Sequence, residues 1–276
     1  MEITPTSVES LVSQVEDGAM IALPPQYSNC SLVMARALIR RGVRDLHLVG
    51  VPQMGLHADL LIGAGCVSVV ETAAVTMGEY GLAPRFTAAA KAGTLKVLDG
   101  TCPAILTQLQ ASEKGTPFGV LRGMIGSDLL KHRDDWKVGE NPFAENDPIV
   151  YLPALKPDFT MMHALKADRE GNIWLGVRRE LMLMARASAA TLVTVEEIVD
   201  ENLIADPVTA AGTLPAIYVS AIAEVVDGAW PYALPGGYHE DEAHLREYMT
   251  LAQTEEGFQT YLQRFVFDGE PRVAAE

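Results

Sequence analysis

Cys102 and Asp99 are candidate catalytic residues in this 276-residue chain. Both follow the apolar run 95–98, and Asp99 is the only carboxylate close to the thiol. A thiolate is a strong nucleophile where it reaches solvent, whereas a buried cysteine is usually inert packing. The residue types therefore permit covalent or acid–base chemistry at this point and leave the packing alternative open.

Four further segments combine charged side chains with glycines. They are 17–23 (DGAMIAL), 122–129 (RGMIGSDL), 163–172 (HALKADREGN) and 195–200 (VEEIVD), the last followed by 228–231 (GAWP). In the second segment Arg122 could contact an anion, and Gly126 and Ser127 could line a substrate cavity. Ser127 with Asp128 could equally cap a helix, and the third segment could equally be a turn with a satisfied core histidine.

The elements that must position these residues alternate between strands and helices. The runs 19–23, 45–51 and 95–98 are short and apolar, and the run 31–41 has a helical composition that ends at Gly42. A strand, a helix and a second strand within about thirty residues indicate a parallel βαβ unit. The sequence therefore predicts an α/β fold, with a mostly parallel sheet flanked by helices.

Glycine and proline interrupt the pattern between residues 119 and 153, so we expect a single domain over 1–276 with an irregular insertion there. The segment 167–172 predicts a hairpin turn, and 244–265 has helical spacing. The run 180–190 predicts a helix and 191–195 a strand.

The composition excludes several classes of protein. A formal net charge of −15 argues against a nucleic-acid partner, because phosphate binding needs clustered Lys and Arg. No apolar run approaches the ~18 residues of a membrane span, and residues 1–16 lack the pattern of a secretory signal. Three widely spaced cysteines predict neither a disulfide framework nor a metal site. We therefore expect a cytoplasmic protein without membrane contact.

In this order, the four segments resemble those of the A-type subunits of class I coenzyme A-transferases, of the glutaconate CoA-transferase kind. The resemblance extends from about residue 16 to about residue 251. The sequence departs from the family at two places. Pro24-Pro25-Gln26 stands where the family has Gly-Gly-Phe, and Trp230 stands where histidine is common. The prolines remove two N–H donors, and a tryptophan cannot transfer protons near neutral pH.

The resemblance implies the CoA-transferase fold and an acyl-CoA thioester and a carboxylic acid as substrates, with no permanently bound cofactor and no metal. It also implies a B-type partner subunit that carries a nucleophilic glutamate in a Glu-Asn-Gly motif, which this sequence lacks. On the A-type side, Gln26, Glu79 and Tyr80 are expected to face the substrate, with helix capping as the alternative for Glu79.

Related proteins of the same fold leave two alternatives open. In ring-opening hydrolases, a catalytic glutamate follows the strand that corresponds to 95–98, and Cys102 falls near that position. A decarboxylase branch uses a cysteine in its B-type subunit. A hydrolase or decarboxylase subunit, or a scaffold subunit without chemistry, therefore remains an alternative to a transferase.

Overall fold

The computed structural model describes residues 3–269. Its helices are α1 (Val8–Ser13), α2 (Leu32–Arg41), α3 (Leu56–Gly63), α4 (Pro84–Ala92), α5 (Cys102–Glu113), α6 (Arg179–Ala187), α7 (Pro207–Ala210), α8 (Glu242–Leu251) and α9 (Glu255–Leu262). Three 3₁₀ turns, at Gly78–Tyr80, Asp128–Lys131 and Ala216–Tyr218, and a π-helical turn at Gln263–Phe267 complete the helical segments of this range.

The strands are β1 (Met20–Leu23), β2 (Leu46–Gly50), β3 (Gln53–Met54), β4 (Val67–Thr72), β5 (Ala74–Val75), β6 (Lys96–Asp99), β7 (Phe118–Leu121), β8 (Lys137–Glu140), β9 (Pro148–Pro153), β10 (Phe159–Asp168), β11 (Ile173–Trp174), β12 (Ala190–Val199), β13 (Thr213–Leu214) and β14 (Ala221–Glu224). The central sheet has the parallel order β6-β4-β2-β1-β10-β12-β14, and β11 and β13 add an antiparallel edge beside the end of β10. The predicted α/β fold with a mostly parallel sheet is confirmed.

Helices cover both faces of the sheet. On one face α1, α2, α3, α8 and α9 bury a core that includes Leu11, Leu38 and Phe258. On the other face α5 and α6 bury a second core around Leu109 and Leu181. Because helices cover both faces of the sheet, its central strands β1 and β2 are mostly apolar and buried.

The helix α2 shows how local sequence sets an element. The Ser31 hydroxyl accepts a hydrogen bond from the Met34 N–H at 3.4 Å, and Gly42 ends the helix in a left-handed conformation with φ of 76°. Arg40 and Arg41 lie in its last turn, where cations are favourable. The predicted boundaries of this helix therefore follow from its caps.

The segment expected to be irregular, 119–153, contains a small antiparallel sheet of order β7-β9-β8. Its inner face packs on α5 through Met124, Trp136 and Leu152. Glycine occurs inside two of these strands, which hides their pattern in the sequence. The segment with helical spacing, 244–265, lies in two helices, α8 and α9, which residues 252–254 separate.

Candidate functional site

The centre of the sheet is the point where its strand order reverses. From β1 the chain continues through β2, β4 and β6 in one direction, whereas from β10 it continues through β12 and β14 in the other. β1 pairs with β10 through Ile21 and Ala22 and ends at Leu23, whereas β10 continues to Asp168. Ligands of open α/β sheets bind at such a switch point. We call the opening between the ends of β1 and β10 the switch-point cleft.

The loop after β1 forms one wall of this cleft. Pro24 and Pro25 are buried, and the Cys30 thiol lies 3.1 Å from the Pro25 carbonyl oxygen. Asn29 is buried with φ of 57°, a left-handed conformation that non-glycine residues rarely adopt. Its carbonyl oxygen accepts a hydrogen bond from the His163 N–H at 2.8 Å. The loop is thereby attached to β10.

A chain of hydrogen bonds runs behind this wall. Parallel pairing of β10 with β12 places His163 opposite Thr194. His163 Nε2 lies 2.7 Å from Glu196 Oε1, and Nδ1 lies 2.9 Å from the Thr194 hydroxyl, which lies 2.9 Å from the Ser31 hydroxyl. Because an ionised carboxylate only accepts, His163 Nε2 donates the hydrogen bond to Glu196.

Glu196 is the most heavily bonded group of the cluster. Oε1 also accepts from the Gly228 N–H at 3.2 Å and the Tyr238 hydroxyl at 3.0 Å, and Oε2 accepts from the Asp227 N–H at 2.9 Å. Burial alone would raise the pKa of Glu196, but these donors outweigh burial and hold the pKa below its usual range. Glu196 is therefore an anion at neutral pH.

Gly228 is required for this packing. A Cβ atom on it would lie 2.5 Å from the His163 ring, so no larger residue fits without displacing the imidazole. Gly228, in the 228–231 segment, thus leaves room for the ring of His163, in the 163–172 segment. The side chain of Trp230 in the same segment donates to Asp241 at 3.0 Å and packs under Arg36.

A cavity of about 320 Å³ opens from the cleft next to this cluster. Its walls are largely apolar, with Leu165, Trp174 and Pro235 among them, and Asn29 and Arg178 are its polar members. We call it the switch-point cavity. A small, mostly apolar cavity with few polar groups is the usual form of a site for a small ligand.

The residues that were predicted to face the substrate lie near one another, on the side of the β1 loop away from the switch-point cleft. They are Gln26, Glu79 and Tyr80. The Gln26 side chain packs against Gly55 and Gly78, next to Glu79. Glu79 is exposed, and the Tyr80 hydroxyl donates to Glu240 at 2.9 Å. The first turn of α4 is capped instead by the Asp59 carboxylate. The substrate-facing role of Gln26, Glu79 and Tyr80 stays a prediction.

Cys102 and Asp99 lie at the carboxyl end of β6, farther along the same edge of the sheet. Cys102 is partly exposed and is the first residue of α5, whose N-cap is Thr101. The exposed Asp99 carboxylate accepts from the Gly100 N–H at 3.0 Å. The catalytic role of Cys102 and Asp99 stays a prediction.

The predicted cavity-lining segment 122–129 approaches this point through Met124, whose sulfur lies 3.7 Å from the Thr101 hydroxyl. Arg122 is exposed and forms two hydrogen bonds with Asp147, at 2.8 and 2.5 Å. Gly126 and Ser127 are exposed in the following turn, where Ser127 bonds to the Met124 carbonyl oxygen. Substrate contact by these residues stays a prediction as well.

Sequence reasoning missed the cluster as a unit. His163 and Glu196 each lay in a segment that was singled out, but only the pairing of β10 with β12 brings them together. Arg178 lay in none of the segments, and nothing in its local sequence points to the cavity. A second buried pair, Arg133 with Glu71 at 2.6 Å, also joins distant parts of the chain.

Residues 3–269 contain neither a group of side chains suited to a metal ion nor a helix suited to a membrane. In that range no cluster of three or more His, Cys, Asp or Glu side chains could hold a metal ion. No helix in the same range has both the length and the apolar character needed to cross a membrane.

Comparison with known proteins gives a consistent result. The sequence model of the family described as Coenzyme A transferase matches residues 6–225. A protein of Archaeoglobus fulgidus is 30% identical over 96% of this chain, and the chain spans 59% of that relative's length. The A-type subunit of 3-oxoadipate CoA-transferase from Pseudomonas knackmussii is 32% identical, over 94% of this chain and 91% of the relative.

Solved structures extend the comparison. Glutaconate coenzyme A-transferase from Acidaminococcus fermentans matches with a TM-score of 0.90 and 25% identity, over 96% of this chain and 89% of the other. The decarboxylase AibA/AibB, in a variant with one cysteine replaced by serine, matches with a TM-score of 0.82 and 28% identity, over 96% of this chain and 100% of the other. The fold is thus shared by a transferase and a decarboxylase.

Proposed function

Because the chain belongs to the coenzyme A transferase family, we propose that it is the A-type subunit of a two-subunit enzyme. This enzyme would move coenzyme A from an acyl-CoA thioester to a carboxylic acid. The observation that carries the proposal is the family match over residues 6–225, which contain every strand described here. Coenzyme A thioesters would be substrates rather than resident cofactors, and the enzyme would work in the cytoplasm.

A partner subunit is part of this proposal. Class I transfer needs a glutamate carboxylate that attacks the thioester and then carries coenzyme A as a glutamyl thioester. The motif expected for that glutamate, Glu-Asn-Gly, does not occur in this sequence. The relative from Pseudomonas knackmussii is itself named as one subunit of its enzyme. We therefore assign the nucleophile to a B-type partner.

This chain would shape the acyl site and exclude water from it. A carboxylate is a weak nucleophile, so its attack depends on orientation and on exclusion of water. The switch-point cleft supplies a fixed wall, because the His163 N–H holds the Asn29 carbonyl oxygen and Glu196 holds the His163 ring. Acids with two carboxylates, such as the 3-oxoadipate and glutaconate named in two relatives, are the first candidates to try.

A decarboxylase or hydrolase subunit is the second candidate. It is favoured by the likeness to AibA/AibB and by Cys102, a partly exposed thiol at the same edge of the sheet. The residues Pro24-Pro25 also differ from the transferase loop that the sequence resemblance predicts.

The test is to co-express this chain with a B-type chain that carries Glu-Asn-Gly and to incubate the complex with candidate acyl-CoAs. Intact-mass spectrometry would then show whether coenzyme A is covalently attached to either subunit. We expect an adduct on the partner glutamate, absent in a Glu→Ala partner variant. Release of free coenzyme A or carbon dioxide without any adduct would overturn transfer in favour of the second candidate.

A further inference from the structure

Within the described residues, one cationic side chain lines the switch-point cavity, and no carboxylate there forms a salt bridge with it. Arg178 is partly buried at the cavity wall, and its guanidinium carbon lies 5.0 Å from the centre of the Tyr27 ring.

The surroundings of Arg178 make this lack of a counter-charge informative. Leu165, Trp174 and Val177 line the same cavity, and their side chains offer the guanidinium no acceptor. A charged group next to apolar walls loses hydration, and an anion from outside the chain can restore the balance. Arginine also binds carboxylates through two parallel hydrogen bonds, which gives direction as well as affinity.

We propose that the switch-point cavity binds the carbon chain of a short dicarboxylic acid, with the carboxylate remote from the reacting carbon paired to Arg178. The inference rests on the proposed function and makes Arg178 a specificity-determining residue. The apolar walls would contact the methylene groups, and Asn29, held in its left-handed conformation, would line the same cavity. The reacting carboxyl would then face the partner subunit.

The size and charge of the cavity favour an acid over the phosphates of coenzyme A. A volume of about 320 Å³ lies at the lower end of the range for small-molecule sites. A nucleotide with several phosphates needs several cations or N–H donors, whereas Arg178 is the single cationic residue that lines the cavity within the described part of the chain. The single guanidinium of Arg178 can therefore pair with the one remote carboxylate of a dicarboxylic acid.

The kinetic test compares Arg178→Met with Arg179→Met in the complex with the B-type partner. Arg179 is the next residue, is exposed, and lines a separate groove between α5 and α6, so it controls for loss of a positive charge. For each variant, kcat/KM is measured with glutaconate and with the monocarboxylate crotonate as acceptors. We expect Arg178→Met to lower the glutaconate-to-crotonate ratio of kcat/KM about 10- to 100-fold, the effect of one charge-assisted pair.

The expected loss should reside in KM for the diacid, and Arg178→Lys should recover part of it because the charge remains. Arg179→Met should leave the ratio within about twofold of the unaltered enzyme. An unchanged ratio in Arg178→Met, or an equal fall for both acids, would overturn the assignment even if the enzyme proves to be a transferase.

A binding measurement separates this inference from the proposed function. Glutarate, which has the length of glutaconate, is titrated into the purified chain while tryptophan fluorescence is followed, because Trp174 lines the cavity. We expect glutarate to bind the unaltered chain more tightly than butyrate does, and Arg178→Met to abolish the difference. This result would support the site even if no coenzyme A transfer were found.

Two binding results would contradict the inference. Equal affinity for glutarate and butyrate in the unaltered chain would show that Arg178 does not bind the second carboxylate. Weakened binding of coenzyme A in Arg178→Met, with glutarate binding unchanged, would reassign the cation to a phosphate.

Discussion

At the scale of single residues, Glu196 joins three parts of the chain. Its carboxylate accepts from the His163 ring on β10, from the N–H groups of Asp227 and Gly228 after β14, and from the Tyr238 hydroxyl. Removing this one carboxylate would leave four donors unsatisfied at a half-buried point, and unsatisfied buried donors cost more than the bond itself was worth. Glu196 is therefore a positioning residue for the cleft wall.

We predict that Glu196→Ala lowers the free energy of unfolding by about 2–4 kcal/mol, as expected for loss of a charged, multiply bonded group. Urea unfolding at pH 7.5 would measure the change. The neighbouring Glu197→Ala is the matched control, since Glu197 is exposed on the same strand. A similar loss in both variants would show that the bonds to Glu196 do not stabilise the fold.

The site was only partly predictable at this scale. The segments 163–172 and 195–200 were recognised because both resemble motifs of the A-type CoA-transferase subunits. Their contact depends on strand register, since His163 faces Thr194 only when β10 and β12 pair in parallel. One residue of slip would place the imidazole on the opposite face. The sequence contains no local signal for that register.

At the scale of elements, α4 is capped from another helix. Asp59, buried on α3, accepts hydrogen bonds from the N–H groups of Arg85 at 3.2 Å and Phe86 at 2.6 Å, and from the Tyr248 hydroxyl at 2.6 Å. These first-turn N–H groups have no partner within their own helix. One carboxylate thus ties α3, α4 and α8 together on one face of the sheet.

We predict that Asp59→Ala destabilises the chain by about 2–3 kcal/mol, because it removes a helix cap and leaves a buried tyrosine hydroxyl unpaired. Asp59→Asn should cost less, since its amide oxygen can still accept. Glu79→Ala, at the residue for which capping of α4 was the alternative hypothesis, should have almost no effect. Thermal unfolding of the three variants would test this order, and a larger loss in Glu79→Ala would reverse the assignment of the cap.

Elements with local caps or turns were predictable, and elements stabilised by distant packing were not. The hairpin at 167–172 followed from its turn residues, and Gly171 has φ of 92° there. The strands β7, β8 and β9 gave no clear pattern because glycine interrupts two of them, and the loop before β8 is joined to the central sheet by the buried ion pair of Arg133 with Glu71. That pair joins residues 62 positions apart, so no short window of sequence contains it.

At the scale of the whole molecule, two buried histidines make the free energy of unfolding depend on pH. His57 lies within α3 beneath the β1 loop, and burial lowers its pKa to about 3. His244 lies in α8 beside Tyr261, and burial with the nearby charge of Arg36 lowers its pKa to about 4. Both therefore stay neutral in the folded chain at pH values where an unfolded histidine is protonated.

The sign of the effect follows from these two pKa values. Below pH of about 6.5 the unfolded chain binds more protons at these histidines than the folded chain, so stability falls as the pH falls. At pH 5 each histidine would cost about 2 kcal/mol, at ~1.4 kcal/mol for each pH unit below its unfolded pKa. Glu196, whose pKa is lowered by its donors, adds to the loss only below about pH 4.3. The raised pKa of buried Asp59 acts in the opposite sense.

We therefore predict that the urea midpoint of the unaltered chain falls steadily between pH 7.5 and pH 5. In His57→Asn this fall should be reduced by about half or more, because one of the two histidine protonations is removed while the opposing effect of Asp59 remains. The exposed histidines provide the control, and His132→Gln with His239→Gln should reproduce the unaltered profile. A flat profile, or an undiminished fall in His57→Asn, would show that the buried imidazoles do not set the response of the fold to acid.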